Sequence, residues 1–339
     1  MAREAKVSLT TASRALSGHP QTAEETRQHV VAVAERIGYR RNALASAVMR
    51  DFKRGRMAKQ HEVFAYLCWD PPTKWNTPER EFYRRILRGI ERRAAELGAD
   101  VMVTWLRDPK IPLPRVGGIL RARGVRGLIL APVPDVVHLP EFPWADFAAV
   151  TIGNMMLTPR LHRLQTEHGE NVALCLAQME QRRAQRIGYV ADAKVDRRTG
   201  NLAVSRFAYY QTALPVGRRI PPLIWDTWNP DEFAAWLDRH EPDAVIFQGE
   251  SGLPLHAVLQ QRRYRHIHFC VVAAQLQSPH IAGTLPRHET LGAKAVDLVS
   301  VAIAHHDYGP PAEPMNLYIP GEWREASSTT RTGAEASRK

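Results

Sequence analysis

The hydrophobic and polar positions of this chain follow one pattern in the first 50 residues and another in the remainder. From Glu62 onward, short apolar runs alternate with stretches whose apolar residues recur every three to four positions. Such alternation is typical of strands that are each followed by an amphipathic helix. It predicts an α/β fold built on parallel sheets with helices on both faces.

The predicted elements of this region are numerous and evenly spread. Strands are predicted over residues 63–68, 101–105, 128–131, 148–152, 186–190, 244–247 and 268–273, with another near Ile224. Helices are predicted over residues 80–97, 115–123, 170–182, 197–210, 231–240, 253–263 and 291–305. Because these units exceed one small sheet, we expect two doubly wound lobes over residues 62–322. A ligand of such lobes binds outside the carboxyl ends of the strands.

The first 50 residues contain only short helical patterns. Ser8 is a good N-cap for a helix over residues 9–16. Thr22 and Glu25 have the spacing of a capping box that opens a helix over residues 23–37. Two short helices joined by a tight turn, with a third packed across them, form an all-α helix-turn-helix head. A plain three-helix bundle with a solvated polar face is the alternative that this pattern leaves open.

The charge of the chain is concentrated at its N-terminal end. The formal net charge is +11, and residues 1–60 contain twelve Lys and Arg against five Asp and Glu, a surplus of +7. A basic segment of this kind favours a polyanionic partner such as DNA.

Cysteine usage and hydropathy indicate the compartment. Cys68, Cys175 and Cys270 are far apart and form no CxxC motif, so we expect neither a zinc cluster nor a disulfide framework. A reducing cytoplasm fits this usage. The chain has no signal-peptide pattern and no apolar run of about 18 residues, so we expect a cytoplasmic protein outside the membrane.

The sequence contains no recognisable catalytic constellation. The run Gly249-Glu250-Ser251-Gly252 lacks the spacing of a nucleophile elbow, and there is neither a G-x-G-x-x-G motif nor a P-loop. The pairs His266/His268 and His305/His306 lack a third metal ligand at a suitable spacing. We therefore expect no enzyme, no cofactor and no metal. An α/β enzyme with dispersed catalytic residues remains an alternative.

Three N-terminal segments carry a family resemblance. Residues 7–18, VSLTTASRALSG, resemble the VSxxTVSRxLNG signature of the LacI/GalR family of transcriptional regulators. Residues 26–39 resemble that family's TRxRVxxAAxxLGY segment, and residues 42–50 resemble its PNxxARxLR hinge. In the core, residues 82–90 and 185–190 are similar to its FFxxILxGI and RRIGYV segments. The resemblance covers most of the chain and implies a periplasmic-binding-protein-like core of two lobes.

The resemblance implies a DNA-contacting role for individual head residues. The residues that would read bases in the major groove are Leu9, Thr10 and Arg14, of which Arg14 can donate two hydrogen bonds to guanine. Those that would lie at the phosphates are Ser8, Thr11, Ser13, Thr26 and Asn42. Residues 43–49 would form a hinge helix, in which the small Ala45 permits close approach and Val48 wedges into the minor groove.

The head departs from the family pattern at several positions. Val48 stands where the wedge is usually Leu, Lys6 replaces the turn glycine, and Arg41 replaces the proline before the hinge. Met1 falls inside the family's first helix, so we expect that helix to be short. Residues 51–61 are expected to be a linker, and residues 323–339 a disordered tail.

The resemblance also implies a small-molecule effector between the lobes and a homodimer on a pseudo-palindromic operator. The candidate contacts of the effector are Phe82, Tyr83, Arg198, Gln248 and Gln275, and Arg197 is an alternative to Arg198. Family members usually carry carboxylates where this chain has Gln248-Gly249-Glu250 and Ala274-Gln275. An ordinary sugar effector is therefore less expected. A cytoplasmic ligand sensor with a defective DNA-binding head is the alternative function.

Overall fold

The computed structural model describes residues 2, 4–8, 11, 12, 15, 22–37, 62–77, 80–249, 253–273 and 279–327. The chain divides into two compact units, residues 1–60 and 61–339. The predicted hinge helix over 43–49 and the linker over 51–61 lie outside the described residues, as do residues 328–339 of the predicted tail.

The strands alternate with helices along the second unit. The strands are β1 (Glu62–Cys68), β2 (Ala99–Trp105), β3 (Val125–Leu130), β4 (Val137–His138), β5 (Ala148–Ile152), β6 (Met156–Thr158), β7 (His162–Thr166), β8 (Ile187–Asp192), β9 (Leu223–Trp225), β10 (Ala244–Gln248), β11 (His268–Val272), β12 (Ala282–Leu285), β13 (Asn316–Ile319) and β14 (Glu322–Arg324). The helices are α1 (Glu24–Arg36), α2 (Glu81–Glu96), α3 (Leu113–Ala122), α4 (His168–Gln181), α5 (Ala193–Arg198), α6 (Leu202–Thr212), α7 (Pro230–His240), α8 (Leu253–Leu259) and α9 (His288–His305).

The described part of the head contains α1 and the residues that pack on it. Helix α1 buries Val30, Val33 and Ala34 on one face. Val30 and Val33 form a small core with Ala5 and Ala15. The predicted capping box is wrong, because the N-cap is Ala23, which makes no side-chain hydrogen bond, and Thr22 precedes it. Glu24 and Glu25 instead place negative charge in the first turn, where the helix dipole favours it.

Two six-stranded sheets form the centres of the two predicted lobes. The first sheet has the order β13-β7-β5-β3-β1-β2, and all its strand pairs are parallel. The second sheet has the order β14-β12-β11-β10-β8-β9 and is parallel except where β14 pairs with β12. The parallel, doubly wound fold expected from the alternating pattern is confirmed.

Helices cover both faces of each sheet, so both faces of the strands are apolar. In the first lobe, one core lies beneath α2 and α9 and contains Phe64 and Val299, and the other lies beneath α3 and contains Leu67. In the second lobe, Tyr189 packs beneath α4 and α6, whereas Phe247 packs towards α7 and α8. No described helix is long and apolar enough to cross a membrane.

The chain passes between the two lobes three times. It leaves the first sheet after β7 and enters α4, returns after β12 into α9, and leaves again between β13 and β14. These crossings were not predicted because β7, β12, β13 and β14 are short and lack a long apolar run. Trp323 and Arg324, assigned to a disordered tail, belong to β14, where the backbone of Trp323 pairs with Thr284.

One predicted helix is broken in two. The pattern predicts a helix over residues 197–210, whereas α5 ends at Arg198 and α6 begins at Leu202. Gly200 and Asn201 lie between them with φ values of 73° and 58°. Because a right-handed helix requires negative φ, these two residues end one helix and redirect the chain into the next.

Candidate functional site

The head presents an N-capped helix start at the position where DNA contacts were predicted. The backbone N–H of Thr11 donates to Ser8 Oγ at 3.0 Å, and the Ala12 N–H donates to the Ser8 carbonyl at 2.9 Å. The Ser8 and Thr11 hydroxyl oxygens are 2.8 Å apart. This geometry confirms Ser8 as an N-cap.

The turn before this cap is held by contacts with α1. Lys6 has a φ of 51°, so it adopts the left-handed conformation that usually favours glycine. The Val7 N–H donates to the Ala2 carbonyl at 3.1 Å, and His29 Nε2 lies 3.2 Å from the Ala5 carbonyl oxygen. The turn is therefore formed although its glycine is missing.

The structure describes three of the ten predicted DNA contacts. Ser8 is exposed, Thr11 is partly exposed beside it, and Thr26 is partly exposed in the first turn of α1. The other seven lie outside the described residues: Leu9, Thr10, Ser13, Arg14, Asn42, Ala45 and Val48.

The residues predicted to line a cleft between the lobes lie near the carboxyl ends of strands. Phe82 and Tyr83 lie in the first turn of α2, the α-helix that follows β1 along the chain, and their ring centroids are 3.9 Å apart. Tyr83 is 6% exposed, and the Arg80 guanidinium lies 5.2 Å from its ring centroid. Burial raises the pKa of Tyr83 to about 12, so the phenol is neutral at physiological pH and can donate a hydrogen bond.

The second lobe contributes Gln248 from the end of β10. This side chain is 1% exposed, and its Nε2 lies 3.4 Å from His168 Nδ1 at the start of α4. Its Oε1 has no hydrogen-bond partner among the described residues. Burial lowers the pKa of His168 to about 4, so its imidazole is neutral near pH 7.

His288 begins α9 on the other side of the same region. Its ring centroid is 5.8 Å from that of Phe82, and its Nδ1 is buried with no partner among the described residues. Its pKa is lowered to about 3, chiefly by burial and further by the charges of Arg85 and His168. His168 and His288 are thus close enough to influence each other's protonation.

Arg198 lies at the end of α5, and its charge acts on Tyr83 of the opposite lobe. It is partly buried, whereas Arg197 is exposed and lies 3.4 Å from Asp226. Of the two arginines considered from the sequence, Arg198 is the less exposed, and its contact with an effector stays a prediction. Gln275, the remaining predicted effector contact, lies outside the described residues.

An aromatic pocket adjoins Tyr83 at the ends of β1 and β2. We call it the tryptophan pocket, and it is lined by Cys68, Trp69, Asp70, Pro71, Lys74, Trp75, Arg80, Tyr83 and Trp105. The rings of Trp75 and Trp105 meet edge to face at 6.3 Å, and Arg80 pairs with Asp70 at 2.6 Å.

Sequence reasoning missed the tryptophan pocket and the two histidines. The available signal for the pocket was position: Trp69 directly follows the strand predicted at 63–68, and Trp105 ends the strand predicted at 101–105. For His168 and His288 the strands before them were not recognised, so nothing placed the two residues in the cleft.

The N-terminal segment matches a known regulatory family. Residues 1–42 match the family profile described as "Bacterial regulatory proteins, lacI family". The catabolite control protein A of Priestia megaterium is 35% identical over 91 residues, which cover 27% of this chain and 23% of that protein. The matched segment therefore spans less than a quarter of this curated relative's length.

Several solved structures share the fold over most of the chain. A complex of the transcriptional regulator CelR with cellobiose has 19% identity and a TM-score of 0.54, covering 96% of this chain and 98% of that chain. A lac repressor dimer bound to operator and the anti-inducer ONPF has 16% identity and a TM-score of 0.51, covering 96% of both chains. The regulator CCPA from Weissella paramesenteroides, with bound glucose, has 13% identity and a TM-score of 0.54, covering 79% and 98%. At these identities the likeness shows the fold.

The chain thus combines an N-terminal segment that matches the lacI family profile with two α/β lobes on parallel sheets, a fold that the similar solved structures share.

Proposed function

We propose that this chain is a sequence-specific DNA-binding transcriptional regulator, acting as a repressor, whose operator affinity depends on a small molecule bound between the lobes. The observation that carries the proposal is the LacI-type head, in which Ser8 caps the start of the helix that follows it. The second helix of such a head enters the major groove with its first residues against the base edges.

The proposed DNA contacts follow from this placement. Leu9, Thr10 and Arg14 read bases, and Ser8, Thr11, Ser13, Thr26 and Asn42 lie at phosphates. The hinge segment over residues 43–49 brings Ala45 and Val48 to the minor groove, where an inserted apolar side chain unstacks a base step and bends the duplex.

A homodimer would present two such heads to the two halves of a palindromic site. The similar lac repressor was solved as a dimer on its operator, and this supports the same assembly here. An effector held by Phe82, Tyr83, Arg198, Gln248 and Gln275 would bias the arrangement of the lobes. By thermodynamic linkage, effector and operator then change each other's affinity by the same factor.

The test is selection of genomic DNA fragments by the purified full chain, followed by measurement of affinity for the recovered sequence. We expect a short palindrome and a loss of about 1–3 kcal/mol in binding free energy for Arg14→Ala, with relaxed base choice at one position. Arg239→Ala removes the same charge from an exposed position of α7 and is the matched control.

Two results would contradict the proposal. If Arg14→Ala binds as tightly and selectively as the unaltered chain, the assignment of the base-reading residues is wrong. If the full chain selects no sequence, the ligand-sensor alternative replaces the regulator.

A further inference from the structure

Some polar side-chain atoms at the predicted cleft lack a hydrogen-bond partner among the described residues. We call Gln248, His168 and His288 the polar cluster. Gln248 is 1% exposed, yet its Oε1 has no partner among the described residues, and neither has His288 Nδ1. Because a buried polar atom without a partner is costly, such atoms at a cleft indicate a ligand that completes their hydrogen bonds.

The helices around the polar cluster direct their N-termini at the cleft. Helix α4 begins at His168, α9 begins at His288, and α2 begins one residue before Phe82. All three follow strands of parallel sheets, so they start at the carboxyl edges that border the cleft. The Glu167 side chain caps α4, whereas α2 and α9 have no side-chain cap. Helix N-termini favour negative charge.

The fixed charges beside the cluster are also positive. The permanent charge that acts on His288 is that of Arg85, because the His168 imidazole is neutral near pH 7, and the charge of Arg198 acts on Tyr83. Among the described carboxylates near the cluster, Asp70 pairs with Arg80 at 2.6 Å, and Glu81 pairs with Arg84 at 2.8 Å and Arg88 at 3.0 Å. The Glu167 carboxylate, next to His168, instead accepts the Gly169 N–H at 3.0 Å as the cap of α4. Glu289 lies 3.3 Å from Arg92.

We propose that the cleft binds a small organic anion, whose anionic oxygens are held by the polar cluster between the starts of α4 and α9. This inference rests on the proposed function, in which an effector binds between the lobes, and it adds the chemical class of that effector. An amide can turn its NH2 group to the anion and its oxygen to His168, because the two ends are close in shape. The cellobiose-bound and glucose-bound structures described above hold neutral sugars, so this chain would differ from them.

The shared chemistry of the ligand is an anionic oxygen group, which either a carboxylate or a phosphate ester can supply. The test is thermal unfolding of the full chain against matched sets in which one carbon skeleton is neutral, a carboxylate or a phosphate ester. Glucose, gluconate and glucose 6-phosphate form one such set, and corresponding three- and five-carbon sets extend it. We expect one anionic class to raise Tm and its neutral counterpart at equal concentration to have no effect.

Variants then locate the effect. Gln248→Glu keeps the side-chain shape and adds a negative charge to the cluster, so we expect the anion's Kd to rise at least about tenfold. Gln261→Glu makes the same change at an exposed position of the same lobe and should leave the Kd unchanged. Arg85→Gln changes a partly exposed residue of α2 and should also weaken anion binding. This variant tests the proposal if Gln248→Glu does not fold.

The proposal is overturned if neutral members stabilise the chain as strongly as their anions, or if no anion in the sets stabilises it. It is also overturned if binding is equal in Gln248→Glu, Arg85→Gln and the control. Because this experiment contains no DNA, operator binding without anion binding would leave the proposed function intact and reject only this inference. Anion binding without operator binding would leave this inference intact and reject the proposed function.

Discussion

Ser8 Oγ accepts the backbone N–H of Thr11 at 3.0 Å, and the two hydroxyl oxygens are 2.8 Å apart. The same serine is therefore an N-cap in the free head and a proposed phosphate contact in the complex. These two roles can be separated, because an aspartate caps a helix as well as serine does but repels a phosphate.

Ser8→Ala is expected to destabilise the helix start by about 1 kcal/mol, whereas Ser8→Asp should preserve it. Hydrogen exchange at the Thr11 and Ala12 amides measures this directly, and a loss of 1 kcal/mol corresponds to roughly fivefold faster exchange. Both variants should bind operator more weakly. Unchanged exchange in Ser8→Ala would reject the capping role, and undiminished operator affinity in Ser8→Asp would reject the phosphate contact.

Lys6→Gly is expected to stabilise the head by about 1 kcal/mol, because Lys6 has a φ of 51° and glycine adopts this conformation without steric cost. Ala32→Gly, at an exposed position inside α1, should have the opposite sign and cost about 1 kcal/mol. Urea unfolding followed by a probe in the head gives both values. Equal destabilisation by the two glycines would show that the turn is not strained at Lys6.

The sequence was most informative where a local pattern decides the structure. The strands at 63–68 and 148–152 and the helix at 80–97 were predicted within one or two residues, since each has a clear period and buried apolar positions. Ser8 was recognised as an N-cap for the same reason. The capping box at Thr22 failed because spacing alone does not fix which residue begins the helix.

The cleft was less predictable because it is assembled from distant segments. His168 and His288 are 120 positions apart, and each begins a helix that follows a crossing of the chain between the lobes. The strand before His168 contains His162, Arg163 and Gln165, so its apolar signal is weak. Phe82, Tyr83 and Gln248 were named through the family resemblance; the first two lie at the start of α2 and Gln248 ends β10, and their contact with an effector stays a prediction.

Gly89→Ala is expected to destabilise the second unit by about 1–3 kcal/mol through overpacking. Gly89 is buried where α2 meets α9, and a Cβ added there would lie 2.0 Å from the Glu289 backbone oxygen. Gly118→Ala is the matched control, because Gly118 is at an exposed position of α3 and a Cβ there meets nothing within 4 Å. It should stabilise the second unit by up to about 1 kcal/mol. Denaturant unfolding gives both values. A neutral Gly89→Ala would mean that the two helices can separate without cost.

The two cleft histidines predict that the stability of the second unit falls in mild acid. Burial lowers the pKa of His168 to about 4 and that of His288 to about 3, whereas an unfolded histidine titrates near 6.5. Between these values the unfolded chain binds more protons than the folded chain, so stability increases with pH across this window and is lost as pH falls through it. Each group contributes a slope of at most about 1.4 kcal/mol per pH unit.

Urea unfolding between pH 4.5 and 7.5 measures this slope, and His168→Gln should remove one of the two contributions. His266→Gln changes an exposed histidine of the same lobe and should leave the slope unchanged. The comparison uses the slope with pH, so a general loss of stability in His168→Gln does not obscure it. If the slope in His168→Gln equals that of the unaltered chain, His168 is solvated and protonates freely. The polar cluster would then not be the dry, uncharged site from which anion binding is argued.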